Sequence, residues 1–146
     1  MFPEATALDM LTELSRSQTL LFMTGAYEDG DQDNVSGDSY EAMQERIEYA
    51  YTQLGARIRN RVVPVGTAWK QALERDPALD FWEDDGRRPS EAGSYLTACV
   101  FYAFLDRREP VANSFTAGLD RVEARVLARA AWRSVLDRQP ERQLGR

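Results

Sequence analysis

The chain has 146 residues, of which 43% are hydrophobic and 10% aromatic, enough to bury a core of single-domain size. Its formal charge of −6 at pH 7 disfavours nucleic acid and anionic membrane as partners, since both recruit basic surfaces. The lone Cys99 excludes an intrachain disulfide and a cysteine metal cluster, and no apolar run approaches the ~18 residues of a membrane span.

Residues 3–16 read as a short helix, with Pro3 in a first turn and Leu8, Leu11 and Leu14 recurring every third position. Residues 19–23, Thr-Leu-Leu-Phe-Met, form a brief apolar run that suits a strand buried on both faces. Residues 29–37 are polar and glycine-containing, hence a loop, and their aspartates read as solvated. A helix then starts near Asp38 or Ser39, where Asp38 and Glu41 have capping-box spacing. Met43, Ile47, Ala50, Tyr51, Leu54 and Ile58 trace its apolar face.

Residues 61–65 read as a second buried strand whose Pro64 marks its end. Residues 67–74 form a short helix carrying Trp69, and residues 76–89 a loop rich in Asp, Pro and Gly. Ser90 can cap a largely buried helix to about Leu105. It would hold Tyr95, Cys99 and Tyr102 on one face, flanked by Ala98, Phe101 and Leu105, with Cys99 as an inert buried thiol. Asp120 and Glu123 again have capping-box spacing. A last helix to about Leu136 would turn Val122, Val126, Ala130 and Val135 inward and its arginines to solvent, before a polar tail after Arg138.

Alternating strands and helices imply an α/β layer fold with a short parallel sheet and about five helices in one domain over residues 1–146. Two buried parallel strands do not make a stable sheet alone. Either the chain holds further strands, or it completes its sheet by self-association, or it is part of a larger domain whose N-terminal half is missing. With no basic start followed by an apolar stretch after Met1, the chain reads as cytoplasmic, and no cofactor is implied.

The densest motif is Asp85-Gly86-Arg87-Arg88-Pro89-Ser90, continued by Glu91-Ala92-Gly93-Ser94-Tyr95-Leu96. It resembles the DGxHPSxxGxYL block of SGNH (GDSL-type) hydrolases, with Arg88 at the histidine position. Val63-Pro64-Val65-Gly66-Thr67-Ala68-Trp69 is similar to the VxPVGxAW segment of a bacterial branch of that family. Residues 22–27, 40–44, 117–120 and 130–132 add weaker likenesses in the same order. The resemblance covers the second half of such a domain. It implies a partial three-layer αβα (SGNH, flavodoxin-like) fold and an ancestry in hydrolysis of acyl esters, including those on carbohydrates.

By position, Asp85 matches the family's aspartate, and Arg88 replaces its histidine. The segments for the nucleophilic serine and the oxyanion glycine and asparagine would precede Met1, and Gly25 stands where a tryptophan is usual. No histidine occurs anywhere in the chain. A guanidinium stays protonated near neutral pH and cannot replace an imidazole as general base. Asp85 then has no imidazole to orient and is expected to hold loop amides or pair with Arg87 or Arg88.

Gly25, Trp69 and Trp82 are candidate ligand-binding positions, with core or loop-anchor roles as the plainer reading of the two indoles. Glu83, Asp84 and Asp85 are consecutive and do not converge on one cation, so no metal site is expected. Three functions remain in view. They are a catalytically inactive or truncated SGNH-type protein, a non-catalytic module binding a partner or carbohydrate, and an active esterase completed by another chain.

Overall fold

The computed structural model describes residues 19–112 and 114–137. The helix expected at residues 3–16 and the tail after Arg138 lie outside them. Strands β1 (Leu20–Phe22) and β2 (Arg61–Val63) pair in parallel, Leu20 opposite Arg61 and Phe22 opposite Val63. Parallel pairing requires a crossover, supplied by helix α1 (Tyr40–Ile58). Helices α2 (Val65–Arg75), α3 (Glu91–Asp106) and α4 (Arg121–Asp137) follow, with a 3-10 turn at Pro110–Ala112. The α/β class is therefore as expected, with a two-stranded sheet and four α-helices among the described residues. No described helix is long and apolar enough to cross a membrane.

Local chemistry explains the boundaries. Ser39, not Asp38, caps α1: its Oγ accepts from the Ala42 amide at 3.2 Å. Asp38 instead accepts from the Asp31 amide at 2.8 Å and from both Arg46 terminal nitrogens at 2.9 and 2.6 Å. β2 stops at Val63, two residues before the expected end. Pro64 becomes the N-cap of α2, and Val65 belongs to the helix. Ser90 caps α3 as expected, accepting from the Gly93 amide at 3.1 Å.

The core lies between the sheet and helices α2, α3 and α4, around Val63, Phe81, Leu96, Val100 and Leu127, all fully buried. Burying side chains of this size stabilises the fold by about 1.5–3 kcal/mol each. Four expected faces are corrected. Phe22 is 42% exposed, so β1 is not covered on both sides. The apolar face of α1 is only half buried and Ala50 is exposed; its buried residues are Gln44 and Gly55. On α3, Tyr102, Leu105 and Ala98 are exposed. On α4, Val122 and Val126 face solvent, Ala130 and Val135 are buried as expected, and Ala124, Leu127, Ala128 and Ala131 join them in the core. Small residues win there because α4 packs against α3 and α2, and both α3 and α4 bury small side chains, Ala92, Cys99 and Ala103 on the one and Ala124, Ala128 and Ala131 on the other.

Candidate functional site at the Asp85 loop

Open parallel sheets place their crevice outside the carboxyl ends of the strands. Here that end gathers residues 23–28 after β1, the loop 29–38, and the loop 81–90 before α3. The backbone links them directly: the Glu28 amide donates to the Gly86 carbonyl at 2.8 Å. Within the last loop the Glu83 amide donates to the Arg88 carbonyl at 2.8 Å and the Ser90 amide to the Phe81 carbonyl at 2.9 Å. A bridge between Trp82 and Pro89 completes a narrow hairpin-like turn.

Asp85 closes this turn from inside. Its Oδ1 accepts from the Arg87 and Arg88 amides at 3.0 and 2.9 Å, and its Oδ2 from Arg88 Nε at 2.7 Å. The Arg88 amide, the Arg88 guanidinium and the Arg87 amide hold the carboxyl well below the ordinary carboxylate range. In turn, Asp85 raises the Arg88 guanidinium further. The structure therefore brings the two sequence-predicted positions together as an ion pair, with the Arg88 side chain 76% exposed.

Arg87 points the other way. It pairs with Asp33 and lies over the Tyr27 ring, 5.2 Å from its centroid. Nothing in the sequence announces this tie across 54 positions. Gln44 was likewise not foreseen. It is fully buried, and its Oε1 accepts from the Ala26 amide at 2.9 Å, fixing the segment after β1.

Gly25, Trp69 and Trp82 also meet. The two indoles contact edge to face at 5.6 Å, and Trp82 repeats that geometry with Tyr40 at 5.4 Å. Trp82 Nε1 donates to the Ala26 carbonyl at 3.0 Å, and Trp69 Nε1 to Thr97 Oγ1 at 3.2 Å. A Cβ on Gly25 would sit 2.8 Å from Trp69 Cε3, and one on Gly93 2.9 Å from the far edge of the same indole. With relative exposures of 5% and 8%, Trp69 and Trp82 anchor loops here and offer no open ring face as a sugar platform.

The corner can bind and hold backbone, but it contains no proton acceptor of imidazole type. Ser39 and Ser90 are occupied as helix caps. Among the described residues, no group of His, Cys, Asp or Glu is arranged to hold a metal ion. Beside the loop runs a groove of about 450 Å³ whose walls include Pro89, Ser94, Tyr95, Cys99 and Phe115. Burial pushes Tyr95 up to about 12 and raises the Cys99 thiol, so both stay protonated at neutral pH.

No protein-family model matches the sequence, and no characterised protein matches it significantly. The crystal structure of a DUF4886 family protein from Bacteroides uniformis is similar, with a TM-score of 0.73 at 21% identity. The match covers 90% of this chain and 56% of that one, so the chain spans little more than half the length of its structural neighbour. At this identity the likeness speaks to the α/β fold alone.

Proposed function

We propose that this chain is a non-hydrolytic relative of SGNH (GDSL-type) hydrolases, built on part of a three-layer αβα domain and derived from an esterase of acyl, including carbohydrate, esters. The single observation that carries this reading is the state of Asp85. Its oxygens are taken by two amides of its own turn and by Arg88, which stands where the family resemblance places the base. A carboxylate bound in this way serves the loop, and a guanidinium has no free lone pair to accept a serine proton. The absence of histidine from the sequence supports the same conclusion.

A second reading follows from the sheet. β1 pairs only with β2 among the described residues, and Phe22, 42% exposed, lies edge-on to Phe101 at 5.1 Å. An open strand edge beside apolar side chains favours docking of a further strand, from a second copy or from a chain carrying the first half of such a domain. In that assembly the chain acts as a partner-binding module.

Fluorophosphonate labelling followed by intact-mass analysis tests the first reading. No serine adduct is expected on the purified chain. An adduct that Asp85→Ala abolishes while the fold persists would show an activated serine and overturn it.

A further inference from the structure

We propose that the cavity between the first two turns of α4 and residues 114–116 binds a small tetrahedral oxyanion, a phosphate group. This site is separate from the Asp85 loop and does not rest on the reading of that loop. The cavity holds about 260 Å³ and is lined by Arg121, Arg125, Ser114 and Thr116, with Tyr95 and Val111 among its other walls. Among the described residues no carboxylate lines it.

The charge balance makes this arrangement notable. The chain has 24 acidic and 18 basic residues, so a pocket whose charged described walls are both arginines runs against the overall balance. Among the described residues the ion pairs use Arg46, Arg87 and Arg88, and neither Arg121 nor Arg125 has an acidic partner. The acid beside them in sequence, Asp120, is committed elsewhere: its Oδ1 accepts from the Val122 amide at 2.8 Å and the Glu123 amide at 3.4 Å. Arg121 and Arg125, both exposed, thus line a surface pocket together with Ser114 and Thr116, with no acidic residue among its described walls.

The spacing fits a single anion. Residues four apart lie on one helix face, about 6 Å apart along the axis. Two guanidinium forks at that separation can converge on one oxyanion from neighbouring turns. Ser114 and Thr116 add hydroxyl donors from the facing segment. The N-terminal end of α4 contributes a favourable field of the same sign. Tyr95 is excluded as a donor, because its hydroxyl donates to the Phe115 carbonyl at 3.3 Å. The volume lies below the ~300–1,000 Å³ of drug-sized pockets, which suits a phosphate group rather than a large ligand.

Arg129 and Arg133 continue the four-residue spacing along α4 but lie outside the cavity, so they provide internal controls. The test titrates inorganic phosphate into the ¹⁵N-labelled chain at constant ionic strength, with chloride as the balancing anion. Saturable shifts are expected at the amides of Ser114, Thr116, Arg121 and Arg125. Arg125→Gln and Arg121→Gln should each weaken binding about tenfold or more, the scale of a lost charge-assisted hydrogen bond. Arg133→Gln should leave it unchanged. Circular dichroism checks each variant's fold, and Arg125→Lys, which keeps the charge but loses the fork, provides a milder version that should also weaken binding. Shifts that do not saturate, that chloride reproduces, or that survive both cavity substitutions would overturn the proposal. Equal weakening by Arg133→Gln would do so too, by showing diffuse attraction along the helix.

Discussion

Trp82→Phe separates an anchoring role at the Asp85 loop from a decorative one. The substitution keeps an aromatic ring in a site that is 8% exposed but removes the Nε1 donor to the Ala26 carbonyl. Ala26 is itself 1% exposed, so its carbonyl would be stranded, at a cost of about 1–3 kcal/mol. The smaller ring also loses part of its edge-to-face contacts with Tyr40 and Trp69, each worth about 0.5–1.5 kcal/mol when intact. Together these give a loss of about 2–4 kcal/mol, with the hydrogen bond the larger share. For a chain of this size that corresponds to a fall in Tm of roughly 8–15 °C. Urea unfolding followed by circular dichroism at pH 7 measures it. A loss under about 0.5 kcal/mol, the scale of a surface substitution, would refute the view that Trp82 ties the loop to the segment after β1.

Asp38 supplies a pH dependence. Hydrogen bonds from Arg46 and from the Asp31 amide lower its pKa from 3.8 to about 2. Its contribution is therefore complete above pH 3.8 and is lost as pH falls through about 2. Asp38→Asn should lower stability at pH 7 and flatten the acid limb of a Tm-against-pH curve between those values; an unchanged limb would contradict this. Arg88→His should create no esterase and, because the Arg88 side chain is 76% exposed, should leave stability nearly unchanged. Hydrolysis by that variant alone would mean that a serine of this chain reaches position 88. Light scattering at micromolar concentration should give a mass above 16.6 kDa, through the edge of β1 that no other described strand pairs; a monodisperse monomer would refute the docking role assigned to that edge.

The features legible in the sequence were those set by local chemistry. Ser90 ahead of an apolar run reads as a cap and is one, and Pro64 marks the end of β2. The α/β class followed from the alternation of apolar runs. The misread faces have a common cause. Hydrophobic periodicity ranks valine above alanine, yet α4 buries Ala124, Ala128 and Ala131 in the core and leaves Val122 71% exposed. Close helix contact selects for small side chains, which a periodicity reading undervalues. Gln44 was invisible for the opposite reason: it interrupts an apolar face because the Ala26 amide needs an acceptor there.

At the site, Asp85 and its bond to Arg88 were legible because they lie three residues apart. The ties from Arg87 to Asp33 and from Trp82 to Ala26 depend on tertiary approach, and no spacing rule reports them. The same holds for the arginine pair facing residues 114–116, which as sequence is only part of a solvated, Arg-rich helix.

The claim that Asp85 holds a loop rather than a catalytic base is tested most directly by the hydrolysis of p-nitrophenyl acetate. The purified chain should release p-nitrophenol no faster than an equimolar mixture of its free amino acids, and Asp85→Ala should change nothing in that rate. A saturable turnover that survives stringent purification and disappears in Asp85→Ala would contradict the account.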